Sequence, residues 1–147
     1  MDELTYGDEL VLGEELDLGS HTVTEAELVE FARSWDPLPF HTEAEVAAQG
    51  PFGGLITSGV HTVAILQRLA VAAHYSRWAI VAGREIRMVK LLRPVRAGDT
   101  LTGRLLPVTR SEADRGRVNV TFQAHLSNQD DKDVLFLELE IVMLARP

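Results

Sequence analysis

Asp36 and His41 are the two side chains whose types and spacing can do chemistry in this chain. They stand in 34-SWDPLPFHTEAEVAAQGPFGGLITSGVHT-62. A carboxylate and an imidazole can hold one water between them, one removing a proton and the other supplying or relaying one. The competing reading is structural: Asp36 caps a turn and His41 is an ordinary polar loop residue. Two neighbouring features weigh toward chemistry. Pro37 and Pro39 each remove a backbone donor and restrict the preceding residue, so the pair belongs on a stiff loop and not in the middle of a regular helix. Then 53-GGLITSG-59 leads through small residues into a long apolar segment. The first amides of a helix have no intrahelical acceptor and lie at the positive end of its dipole, so the Gly59 N–H is a ready donor to an oxyanion. Glycine there also lets a ligand approach the backbone closely. Ser58 reads alongside this as a plain helix N-cap.

The remaining histidines carry less. His61, one turn into the long helix, can line the same cavity or serve as a hydrogen-bonded core or interface histidine. His74 falls late in that helix, and His21 and His125 fall in strand regions. No spacing supports a three-His metal site, and no metal is expected. Ser58 lies outside a G-x-S-x-G elbow and has no base assigned to it.

The elements that must position these groups follow from apolar periodicity. Glu9 to Val23 carries short apolar patches broken by Gly13 and Gly19, which predicts one or two short strands. Thr24 and Glu27 form a capping-box signature, and Leu28, Phe31 and Ala32 follow at helical spacing, so a helix runs to about Trp35. Thr42 and Glu45 repeat that signature ahead of 43-EAEVAAQ-49, a short helix closed by Gly50 and Pro51. From Ser58 to about Trp78 the residues are apolar on nearly every face, as in a central, buried helix. In 117-RVNVTFQAHLS-127 every even position is apolar and every odd one polar, the pattern of a half-buried antiparallel strand. Segments 85–95, 100–110 and 134–144 predict three more strands, with turns at 97–99, 111–116 and 127–133. Strand, helices and a four-strand meander give an α+β fold, one antiparallel sheet curled around a single long helix.

Composition bounds the function. With 147 residues, 46% hydrophobic and 24% charged, the chain has the size and balance of one globular domain spanning 1–147. It lacks cysteine, which removes disulfides and thiolate chemistry and fits a cytoplasmic location. No apolar leader precedes Gly7, and no run is long enough to span a bilayer, so no membrane role is expected. A net charge of −8 disfavours nucleic acid as a partner. The densest basic series is Arg84, Arg87, Lys90, Arg93 and Arg96. It reads either as a solvated strand-and-turn edge or as a seat for a phosphorylated ligand such as coenzyme A.

The runs F-A-x-x-x-D-P-x-P-F-H (31–41) and F-G-G-L-I-x-S-G-x-H-T (52–62) resemble the hydratase signature of MaoC-like proteins, a family that includes the (R)-specific enoyl-CoA hydratases. The segments 91-LLRPVRAGDTL-101 and 127-SNQ-129 and the final Arg146-Pro147 also resemble that family. The resemblance implies a hot-dog fold. It further implies reversible hydration of a trans-2-enoyl-CoA, with Asp36 and His41 orienting the water and the Gly59 N–H binding the thioester oxygen. Leu38, Phe40, Phe52, Gly54, Ser58 and His61 are expected to contribute to substrate binding. No separate cofactor is implied, since coenzyme A is part of the substrate, and a homodimer is. Leu38 stands where the family usually has Asn or Gln, which predicts a more apolar pocket wall. Ser58 replaces a His found in many members, and 128-NQDDKD-133 lacks a glycine often found there. A non-catalytic acyl-thioester binding protein and an acyl-CoA thioesterase are the alternative functions.

Overall fold

The computed structural model describes residues 3–147. A single 3-10 turn, Gly7–Glu9, precedes strand β1 (Leu16–Thr22), so the first stretch supplies one strand. Helix α1 (Glu25–Trp35) begins with the expected capping box. The Glu27 N–H donates to Thr24 Oγ1 at 3.2 Å, and the Thr24 N–H donates to Glu27 Oε1 at 2.8 Å. A single-turn helix α2 (Pro39–Thr42) and helix α3 (Ala44–Gln49) follow. The second capping box does not form. Thr42 still lies within α2 and its hydroxyl donates to the Leu38 carbonyl at 3.3 Å, while α3 starts from Glu43 without a side-chain cap.

The long helix α4 spans Gly59–Ala73 and stops five residues short of Trp78. His74 leaves helical geometry at φ −138° and Arg77 donates to the Ala73 carbonyl, closing the helix end. Trp78 instead stacks on Phe122 with ring centroids 5.6 Å apart, so its burial in the core turns the chain off the helix axis. Ile65, Leu66, Leu69 and Ala70 of α4 join the core with Leu101, Leu105, Phe122, Ala124 and Leu137 of the sheet. Burying each large side chain contributes on the order of 1.5–3 kcal/mol. The opposite side of α4 is open, with Val60 62% and Val71 41% exposed, so the helix is not buried all round.

Four further strands, β2 (Ile80–Leu91), β3 (Thr100–Arg110), β4 (Arg117–Ser127) and β5 (Asp133–Leu144), complete one sheet in the order β1-β3-β4-β5-β2. All pairings are antiparallel. Only β3, β4 and β5 form a meander. β2 lies beyond β5, because apolar alternation marks a strand without saying which neighbour it pairs with. In β4 the even positions Val118, Val120, Phe122, Ala124 and Leu126 are buried, as the alternation requires. The turn after β4 dispenses with glycine. Asp131 adopts φ 56°, a left-handed conformation that Asp tolerates better than most residues, and the Asn128 carboxamide oxygen accepts the N–H groups of Asp130 and Lys132. No helix among the described residues is long and apolar enough to cross a membrane.

The crossover from β2 to β3, residues 92–99, is held at several points. The Thr57 N–H donates to the Val95 carbonyl at 2.8 Å, and Val23 and Gly98 exchange bonds with Asp99 and Val23. The expected turn at 97–99 needs positive φ at Gly98, which has 90°. This crossover and the loop before α4 therefore form one wall.

Candidate active site

Asp36 is the C-cap of α1. Its N–H donates to the Ala32 carbonyl at 2.8 Å, and its backbone then turns out of helical geometry before Pro37. Pro39 occupies the first position of α2, where a helix has no use for an N–H, so proline starts the turn that carries His41. The expected stiff loop thus contains one helical turn, and His41 is its third residue.

The two side chains converge. His41 Nε2 lies 3.4 Å from Asp36 Oδ2. Its Nδ1 is 2.7 Å from the Ile56 carbonyl oxygen, which can only accept, so Nδ1 carries a proton and Nε2 is the nitrogen turned to Asp36. His41 is 4% exposed. Ser58, fully buried, donates its hydroxyl to Asp36 Oδ2 at 2.7 Å and makes no side-chain cap on α4. The N-cap role expected for its hydroxyl is replaced by a bond that orients the carboxylate. The first amides of α4, Gly59 foremost, are left without a side-chain acceptor.

A cavity of about 340 Å³ opens beside this cluster, lined by His41, Phe52, Ile56, Thr57, Gly59 and Thr62 on one side and Leu91 to Val95 on the other. His41 and Gly59 therefore face one space. A β-carbon on Gly59 would come within 2.4 Å of Leu91 Cδ1, so glycine keeps the backbone open there. The geometry can seat a water against the carboxylate and imidazole and a carbonyl oxygen near the head of α4.

The other expected residues separate. Phe52 lines the cavity. Phe40 does not, but its ring tilts against His41 with centroids 4.4 Å apart. Gly54 lies outside the lining, with Arg96 Nη1 3.5 Å from where its β-carbon would stand. Leu38, expected in the pocket wall, is 46% exposed and absent from the lining. It serves through its backbone, whose carbonyl accepts the His41 N–H at 2.9 Å. Sequence reasoning missed the contribution of Leu91, Leu92, Pro94 and Val95 as cavity lining. Their only signal was a motif with no chemically active side chain.

His61 does not share the His41 cavity. It lines a second one, of about 370 Å³, between α1 and α4. Its ring stacks on Phe31 with centroids 4.5 Å apart, and Nε2 stands 3.9 Å from Glu27 Oε2. Glu27 itself is engaged by His21 Nε2 at 2.9 Å. His61 Nδ1 is buried without a hydrogen-bond partner among the described residues, contrary to the hydrogen-bonded histidine expected. Burial lowers the His61 pKa below its usual 6.5; the Glu27 carboxylate partly offsets this and His21 adds to it.

With that geometry established, comparison with known proteins is informative. The family model described as MaoC like domain matches residues 9–129. The chain is 28% identical to the uncharacterized protein YdeM of Bacillus subtilis (strain 168), over 99% of this chain and 98% of that one. The MaoC-like dehydratase from Rhodospirillum rubrum is 31% identical, with a TM-score of 0.86 and coverage of 97% and 98%. The (R)-hydratase PhaJ1 from Pseudomonas aeruginosa shares the fold, with a TM-score of 0.77 at 23% identity over 98% of this chain and 88% of that one. This chain belongs to the MaoC-like domain family and has its curled sheet around a central helix, the hot-dog fold.

Proposed function

We propose that the protein catalyses reversible hydration of a trans-2-enoyl-CoA, equally the dehydration of a (R)-3-hydroxyacyl-CoA. The observation that carries this reading is the 3.4 Å approach of His41 Nε2 to Asp36 Oδ2 on a cavity that Gly59 also lines. Water held between the two groups loses a proton to one of them as its oxygen bonds to the β-carbon of the substrate. The electrons of the C=C bond move onto the thioester oxygen, which the Gly59 N–H receives as an enolate. A proton returned by the pair to the α-carbon restores the thioester, so water is added with no other reactant. A positioned acid or base is worth about 10²–10⁴ in rate and an oxyanion donor about 10²–10³.

The test is an acyl-CoA panel, with crotonyl-CoA and longer and branched enoyl-CoAs, followed through loss of enoyl absorbance. Hydration of at least one member is the expected result; no turnover across the panel sinks the proposal. A thiol reagent in the same assay separates hydrolysis, which releases free thiol, from hydration, which does not. Two copies are further proposed to pair along β2, whose edge leaves Ile86 59% and Leu91 57% exposed. Light scattering should then give about twice 16.2 kDa, and a mass of one chain at assay concentration would overturn the pairing.

A further inference from the structure

We infer that Arg93 and Arg96 form a phosphate-recognition pair at the mouth of the His41 cavity, so that the substrate is presented on a phosphate-bearing carrier. The inference rests on the hydratase reading for the identity of the cavity's occupant, but not for the phosphate chemistry. Three observations carry it. Arg93 is itself part of the cavity lining. The Arg96 guanidinium lies against Gly54, in the loop between Phe52 and Ile56, both of which wall the same cavity. Neither arginine is neutralised. Arg84 and Arg87, earlier in the same basic series, are paired with Glu140. By contrast, Arg93 spends one N–H on the Asp133 backbone carbonyl, and neither Arg93 nor Arg96 has a carboxylate partner among the described residues.

The nearest carboxylate in sequence is already committed. Asp99 accepts the Arg96 backbone N–H at 2.9 Å through Oδ2 and the Gln129 amide at 2.9 Å through Oδ1. Two uncompensated guanidinium groups on a chain of net charge −8 are not a general basic surface. They are a local one, three residues apart on the crossover, and their planar forks suit phosphate oxygens. Both are exposed, which suits contact with a carrier's phosphate outside the cavity while the thioester goes inside. The shared chemistry is phosphate, whether in the nucleotide part of coenzyme A or in the prosthetic group of an acyl carrier protein.

The experiment compares crotonyl-CoA with crotonyl-N-acetylcysteamine, a thioester without phosphate, for wild type, R93Q, R96Q and the double variant. The kcat/KM preference for the coenzyme A thioester should fall about fivefold to tenfold in each single variant and further in the double, since charge-assisted bonds at an exposed site carry part of their full worth. That preference should also fall with added salt. Crotonyl loaded on an acyl carrier protein distinguishes the sources: a larger loss there assigns the phosphate to the protein-bound prosthetic group. A preference that stays the same for both carriers in all variants overturns the inference. Calorimetric binding of free coenzyme A against pantetheine decides the matter without turnover. Tighter binding of coenzyme A that is lost in the double variant sustains phosphate recognition even if every thioester fails as a substrate. Equal binding of the two refutes it. R93K and R96K, which keep the charge, should recover part of the preference, which a folding defect would not.

Discussion

His41 and His61 are buried to nearly the same degree, 4% and 5% exposed, and each has a carboxylate within 4 Å. They differ in what fixes them. His41 is tied through Nδ1 to a backbone carbonyl, so one ring nitrogen is committed and the other is aimed at Asp36. His61 makes no such bond, stacks on Phe31, and is held by packing alone. Burial by itself therefore does not distinguish a group ready for proton transfer. A fixed tautomer and a partner that is itself oriented, as Ser58 orients Asp36, do.

Substitution should reveal this contrast in descending order of effect. His41→Gln removes the aimed nitrogen, and kcat/KM for a competent enoyl-CoA should fall by about 10²–10⁴; a loss under tenfold would remove the distinction between the two histidines. Ser58→Ala acts only through Asp36. Losing a hydrogen bond to a charged group should cost about tenfold in kcat with little change in KM, and the pH profile should shift as the carboxylate loses its donor. An identical kcat and pH profile would show that Asp36 needs no orienting hydroxyl.

The smallest effect belongs to His61 and is read in stability. Above pH 6.5 its imidazole is neutral both folded and unfolded and contributes no pH dependence. As the pH falls below 6.5 the unfolded chain takes up a proton that the folded state resists, so stability declines until the depressed folded value is passed. His61→Phe should therefore flatten the fall in melting temperature between about pH 7 and pH 5. An unaltered slope would place the acid sensitivity elsewhere.

Periodicity made the elements legible, because each strand and helix carries its own burial pattern. The capping box at Thr24 and Glu27, the alternation of β4 and the glycine turn at Gly98 all formed as local chemistry dictates. Failures arose where distant contacts prevailed. Trp78 shortened α4 because Phe122, 44 positions away, offered a better place for its ring. β2 took the far edge because pairing with β5 is not encoded within its own residues. In the site, the juxtaposition of Asp36, His41 and Gly59 was legible from residue types. The crossover wall was not, since leucine, proline and valine announce packing and not chemistry. Leu38 misled for the complementary reason: its side chain stands beside the motif's reactive residues in sequence but outside the cavity in space.

The pairing of β2 with β5 changes register at three places, between Ile80 and Ala82, Gly83 and Glu85, and Ile86 and Met88. All three precede Leu91, whose side chain meets the head of α4 at Gly59. The shape of the cavity is thus set by a count of residues made along an outer strand. A one-residue deletion anywhere in Ile80–Leu91 would bring a different side chain to Gly59, turned to the opposite face, and so alter the pocket while leaving every polar group of the Asp36, His41 and Ser58 cluster in the chain.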